Sequence, residues 1–255
     1  MRGVCGAALL AAVAASPAAA ADVSVFSSGA PSAVLKVLAV TFTRDTGHKV
    51  EFTVATPGDL QNKLAGGAVP DLIVAPAPVI QNLEKAGTLQ PGSRVDLARV
   101  GVGIVLREGA LVPDISTVDA VRRVLLGARS IVHTSPDGSG FAGKAVARMI
   151  EQMGIADTIR PKLTIMQAID GGVDLVARGE ADVGLFNISE ILPVKGVTLA
   201  GPLPESVQSY IVFAAALHAG AHAPEPARAF VKLAAGPSAR QQWKAGGLEA
   251  MSGGI

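Results

Sequence analysis

Cysteine is almost missing from this chain. Cys5 is the only one, and it sits inside the first apolar run. No disulfide framework, cysteine–zinc site or thiol nucleophile can be assembled from residues 6–255. Aromatic surface is nearly as scarce. Trp243 and Tyr210 are alone of their kinds and phenylalanine adds seven residues, which disfavours a sugar-stacking site. Charged residues make up only 17%, and no basic run points to nucleic acid or an anionic membrane as partner. No tandem repeat appears, so solenoid and propeller architectures are set aside.

What is there is apolar. Hydrophobic residues reach 49% of 255, which predicts a well-buried core and either one large domain or two lobes of about 100–150 residues. The opening, MRGVCGAALLAAVAASPAAAADVSV, has Arg2, an apolar run and small residues where a signal peptidase reads. The expectation is a signal peptide over residues 1–20, cleaved after Ala20 or else after Ala21, and a periplasmic location. The run is too short and too rich in alanine for a membrane anchor. Lys and Arg number 22, one of them Arg2, and Asp and Glu number 21. The remainder is therefore near neutral.

Short β-rich runs alternate with helices, the signature of α/β construction. DVSVF (22–26), KVEFTV (49–54) and PDLIVAP (70–76) read as strands. The helix after the first of them carries Pro31 in its first turn. Val34, Leu35, Leu38 and Phe42 form its apolar face, and Gly47 ends it. RVGVGIVLREG (99–109) reads as a long strand that crosses between two halves. A second α/β series begins near residue 117: a helix capped by Ser116 or Thr117, the strand SIVHT, a glycine-rich turn feeding a long helix, then KLTIM and ADVGLFN. VTLAGPLPESVQSYIVFAAAL contains two strands that return the chain to the first half, and two helices close it. The predicted fold is α/β with two lobes, each a mostly parallel sheet flanked by helices: residues 21–100 with 205–255, and residues 101–204.

Three strand-to-helix turns mix glycine with hydroxyls or an acid. They are Ser27-Ser28-Gly29, Thr56-Pro57-Gly58-Asp59 and Asp137-Gly138-Ser139-Gly140. The first N–H groups of a helix have no internal partner and carry partial positive charge. Such turns can hold an anion without lysine or arginine. They can equally be ordinary caps and turn formers. In open parallel sheets ligands bind beyond the carboxyl ends of the strands, so the turns converge if the lobes face each other.

Other constellations carry less. His218 and His222 have the spacing of a helical metal pair, but Gly220 lies between them and no third ligand is evident. Gly138, Gly140 and Gly143 do not spell a dinucleotide fingerprint, and Ser139 is not in a nucleophile elbow. His133 ends an apolar strand. Neither a metal nor a cofactor is expected, and no catalytic triad is recognisable.

VFSSGAPSAVLKVLAVTFTRDTGHKVEF, GDLQNKLAGGAVPDLIVAP and LVARGEADVGLFNISEILPVKGVTLAGPLPE together resemble the periplasmic molybdate-binding protein family, solute-binding components of ABC importers. The resemblance implies the two-lobed type 2 binding-protein fold, a ligand trapped between the lobes, a permease partner in the inner membrane and a monomer. It places the family's oxyanion-binding positions on Ala30, Pro57 and Asn187, none of them the family's residue. Ser27, Ser28 and Thr56 lie close enough to substitute. The ligand residues expected from motif and resemblance together are Ser27, Ser28, Gly29, Thr56, Gly58, Gly138, Ser139, Gly140, Asn187, Ser189 and Tyr210. The implied function is capture of a small anion, a molybdate-like oxyanion or a small carboxylate. ISEILPVKGVTLAGPLP and SYIVFAAAL are more similar to a divergent branch associated with aconitate isomerase. That alternative would need one base, with His133, Asp137, Lys144 and Glu190 as candidates.

Overall fold

The computed structural model describes residues 20–137, 141–167 and 171–251. Strands β1 (Asp22–Ser27), β2 (Lys49–Val54) and β3 (Leu72–Pro76) alternate with helices α1 (Gly29–Thr46), α2 (Pro57–Ala65) and α3 (Ala77–Lys85). The long strand β4 (Val95–Arg107) comes next. After it lie α4 (Val118–Gly127), β5 (Ile131–Thr134), α5 (Phe141–Gln152), α6 (Ala156–Ile159), β6 (Leu163–Met166), α7 (Gly172–Ala177), β7 (Val183–Asn187), α8 (Ile188–Ile191) and β8 (Val197–Pro202). The chain ends with β9 (Tyr210–Leu217), α9 (Pro224–Ala235), α10 (Arg240–Ala245) and β10 (Glu249–Ala250).

Local sequence accounts for most of these boundaries. Val34, Leu35, Leu38 and Phe42 are buried along one face of α1, the stripe a helix needs to seat on a sheet. Gly47 closes α1 in the left-handed region at φ 78°, and its N–H donates to the Thr43 carbonyl at 2.8 Å. That conformation is cheap only for glycine. Thr117 begins α4, its hydroxyl accepting from the Ala120 N–H at 3.1 Å. Leu72 to Ala75 are buried without alternation, as in a strand covered on both faces.

The strands form one connected sheet in the order β2-β1-β3-β9-β4-β7-β5-β6, with β8 and β10 both added to β4. β1 lies parallel to β2 and β3, and β5 lies parallel to β6 and β7. β9, β4 and β8 pair antiparallel. The mostly parallel sheets expected of each half thus hold for the outer strands only. The strands that pass between halves enter each sheet from its far end and run against it. β4 changes partners midway: Val95–Gly101 pair with β9, whereas Val102–Val105 pair with β7 and Gly103–Arg107 with β8.

Two cores lie on either side of that change. Leu35, Phe42, Phe230 and Trp243 pack with Val23 and Val25 on one face of the first sheet, and Ile73, Ile80 and Ala214 pack on the other. Ile104, Leu125, Ile131, Val146 and Leu185 pack on one face of the second sheet, and Val132, Val173 and Phe186 on the other. The molecule is therefore two-lobed.

Asp71 pins the first lobe near the starts of β1 and β3. It is almost fully buried. Its carboxylate accepts from the N–H and hydroxyl of Ser24, both at 2.8 Å, and from the N–H groups of His222 and Ala223, both at 2.7 Å. Burial works to raise its pKa, but these donors together hold it below the ordinary carboxylate value. The segment holding His218 and His222 is a turn preceding α9, not a helix. There the His218 Nδ1 accepts from the Gly220 N–H at 3.0 Å.

Candidate functional site

A cleft of about 530 Å³ opens between the lobes. The first lobe lines it with Ser28, Gly29, Ala30 and Ala33 where β1 passes into α1, and with Val54, Ala55, Thr56 and Pro57 where β2 passes into α2. Pro76, Ile211 and Phe213 complete that side, while Phe141, Asn187, Ser189 and Glu190 line it from the second lobe. The carboxyl ends of parallel strands from both halves thus meet at one pocket, where such sheets place their ligands.

Each turn is built differently. Ser28 precedes α1 in extended conformation, and its side chain makes no capping bond. Its N–H donates to the Val74 carbonyl at 2.9 Å, and its hydroxyl lies 3.4 Å from the same oxygen. The N–H groups of Gly29 and Ala30 are the first of an 18-residue helix, so they have no acceptor within it. Pro31 has no N–H to offer. The space beside Gly29 where a Cβ would stand is open. Thr56 is committed to its own helix: it donates to the Asp59 carboxylate at 2.7 Å and accepts from the Asp59 N–H at 3.2 Å. Thr56 is thus an N-cap whose hydroxyl is engaged by Asp59 both as donor and as acceptor.

On the second lobe Asn187 ends β7 and is 7% exposed. Its Nδ2 donates to the Glu190 carboxylate at 2.6 Å. No donor among the described residues reaches its buried Oδ1, and the Ser189 hydroxyl is likewise buried without a partner among them. The Thr134 hydroxyl, at the end of the neighbouring strand β5, is a third such group. Among the described lining residues no lysine, arginine or histidine appears, and Glu190 is the only ionisable side chain.

Of the residues expected from the sequence, Ser28, Gly29, Thr56, Asn187 and Ser189 line the cleft together. Ser27 is fully buried behind it, its hydroxyl donating to the Ser28 carbonyl at 2.9 Å. Gly58 lies within α2 and is not among the lining residues. Gly138, Ser139 and Gly140 lie outside the described residues. Tyr210 is turned to other work. Its hydroxyl donates to Glu205 at 2.7 Å, Arg99 stands over its ring at 3.8 Å, and its neighbour Ile211 lines the cleft instead. Burial first, and then the bond to Glu205, push the phenol up to about 12. His133 is 2% exposed, with Nδ1 at 2.7 Å from the Thr134 carbonyl, and burial lowers its pKa.

The sequence reading missed the apolar wall of Phe141, Ile211 and Phe213. The strand alternation in SYIVF marks Ile211 and Phe213 as sharing one face. Nothing local marks that face as a cleft wall.

With this geometry the chain falls into a defined class. Residues 23–249 match the bacterial extracellular solute-binding protein family, and the chain belongs to it. Among individual relatives, it is 28% identical to an aconitate isomerase of Pseudomonas sp., over 89% of this chain and 87% of that one. It is 25% identical to the molybdate-binding protein ModA of Escherichia coli, over 87% and 86% respectively. Among solved structures, a substrate-binding domain from Clostridium difficile superposes with a TM-score of 0.81 at 16% identity, covering 91% of this chain and all of that one. The periplasmic molybdate-binding protein of Azotobacter vinelandii gives 0.65 at 23% identity, covering 89% and 98%.

Proposed function

We propose that the protein is a periplasmic, monomeric solute-binding component of an ABC importer that captures a small carboxylate anion between its lobes. The lobes would be residues 21–100 with 205–255, and residues 101–204, with residues 1–20 removed on export. One observation carries the ligand class. The cleft joins unpaired N–H groups at the start of α1 to an apolar wall of Val54, Phe141, Ile211 and Phe213, with no cationic side chain among its described lining residues. Helix-start N–H groups suit a carboxylate, and the wall suits a carbon skeleton that an inorganic oxyanion lacks. Ser28 and Gly29 would donate from the first lobe beside Thr56, with Ser27 and Gly58 behind them. Gly138, Ser139 and Gly140, which precede α5 in the sequence, would donate from the second lobe, and Asn187 and Ser189 would close the far side. Lobe closure would expel water and strengthen each bond.

A second reading has its own support, the likeness to an aconitate isomerase and a carboxylate in the cleft. Among His133, Asp137, Lys144 and Glu190, Glu190 alone is a lining residue. In an allylic shift the base takes a proton from the methylene carbon, the double bond moves, and a proton returns at the former vinyl carbon.

Thermal-shift titration with citrate, cis-aconitate, trans-aconitate, molybdate, tungstate and sulfate separates these readings. The carboxylates should raise the melting temperature and the inorganic oxyanions should leave it in place. Stabilisation by molybdate alone would overturn the carboxylate reading. Conversion of trans- to cis-aconitate with solvent deuterium entering the product would make the chain an enzyme. Ser28→Ala should weaken whichever carboxylate binds.

A further inference from the structure

The second-lobe wall of the cleft carries a chemical demand beyond anion binding. Asn187 is more than nine-tenths buried and lines the cleft. Its amide orientation follows from its partner: Nδ2 donates to a Glu190 carboxyl oxygen at 2.6 Å, and a flipped amide would set two acceptor oxygens against each other. Oδ1 is therefore held as an acceptor, and no described residue donates to it. Two residues on, the Ser189 hydroxyl is also buried, unpaired among the described residues and part of the lining. Buried polar groups without partners are rare because each carries a desolvation penalty. Two of them on residues that line one inter-lobe cleft point to groups a ligand could complete.

The chemistry of the pair is specific. Oδ1 can only accept, and the Ser189 hydroxyl has a proton to give. A ligand carboxylate satisfies Ser189 but leaves Oδ1 bare. An ammonium satisfies Oδ1 but cannot accept from Ser189. A hydroxyl does both. We infer that this wall selects a hydroxyl-bearing carboxylate, with the Asn187 Oδ1 as specificity determinant and Glu190 as the residue that positions it.

This inference rests on the carboxylate reading of the cleft, and matched ligands separate the two. Isothermal titration compares malate with succinate and citrate with tricarballylate, pairs that differ only by a hydroxyl. The wild-type protein should bind the hydroxylated member of at least one pair about tenfold tighter or more, the ratio expected when a buried acceptor is left unpaired by the poorer ligand. Asn187→Leu should shrink that ratio to below about twofold, mainly through loss of affinity for the hydroxylated ligand. Glu190→Gln releases the amide to turn, because a glutamine there can donate to Oδ1; it too should narrow the ratio, and it carries the test should Asn187→Leu fail to fold. Equal affinity for the members of both pairs in the wild type, or an unchanged ratio in the variants, overturns the inference and leaves the carboxylate reading standing. Binding of molybdate or sulfate without any of the four acids, or no binding of any of them, overturns both.

Discussion

The Gln208 side chain pairs with the backbone of Val102 as a strand would. Its Nε2 donates to the Val102 carbonyl and its Oε1 accepts from the Val102 N–H, both at 2.9 Å. Val102 is the residue at which β4 leaves β9 and takes up β7, so the amide closes a gap in the ladder between the lobes. A Cβ on the adjacent Gly101 would stand 2.9 Å from Gln208 Cδ, which shows how closely the clamp is seated.

Gln208→Ala should therefore orphan the N–H of Val102, a residue with no exposed surface, while its carbonyl keeps the Leu203 N–H at 3.0 Å. The loss should be about 1–3 kcal/mol of stability. Trp243, the only tryptophan and fully buried, reports the unfolding by fluorescence. Hydrogen exchange at the Val102 amide should accelerate while that at Val25, inside the first core, stays slow. Equal protection of Val102 in the variant and the wild type would mean that the ladder does not depend on the amide.

Tyr210 gives a second test, and its spectrum is clean because it is the only tyrosine. Its phenol lies at about 12 in the folded protein, against about 10 for an unperturbed tyrosine. The raised value belongs to the neutral form, so the associated stability is fully present below about pH 10 and is lost as pH climbs towards about 12. Absorbance at the tyrosinate band should rise late in an alkaline titration of folded protein. Glu205→Gln should bring the midpoint down, since the Glu205 carboxylate is the acceptor that holds the proton in place. A midpoint near the unperturbed value in the wild type would contradict this arrangement.

How much of this was legible in the sequence depends on the range of the forces involved. α1 could be read because Val34, Leu35, Leu38, Phe42 and Gly47 encode its face and its end locally. Thr117 was legible as a cap for the same reason, and the strand-to-helix turns at Ser28 and Thr56 were recognisable as a kind of site. Their division of labour was not. The Thr56 hydroxyl is taken by Asp59, three residues away, whereas Ser28 has no such neighbour. Gln208 sits in a polar stretch with nothing to distinguish it, and its partner lies 106 residues away. Tyr210 looked available for a ligand because Arg99 becomes its neighbour only when β9 lies beside β4, and the Glu205 loop then folds back onto its hydroxyl. The apolar cleft wall is hidden in the same way, since Phe141 and Phe213 are far apart in the chain and line one cleft only in the fold.

Gly247 tests whether contact between the lobes behind the cleft sets their spacing. It lies just past α10, at φ 77°, and a Cβ there would come 2.9 Å from the Ser189 nitrogen and 3.0 Å from the Ile188 carbonyl carbon. Ile188 in turn packs against the first-lobe core. Gly247→Ala therefore introduces two separable penalties. One is the left-handed backbone, about 1 kcal/mol for a residue with a Cβ. The other is displacement of the Ile188–Ser189 segment, which carries part of the cleft wall. Gly47→Ala is the control: φ is nearly the same at 78°, but the space around a Cβ is open. Both variants should lose stability through the backbone penalty. Only Gly247→Ala should also weaken binding of whichever anion the cleft takes, because only there must Ser189 move, and a shift of a few tenths of an ångström suffices to misalign a hydrogen bond. Equal affinities in the two variants would mean that the lobes take their spacing from β4 and Gln208 alone.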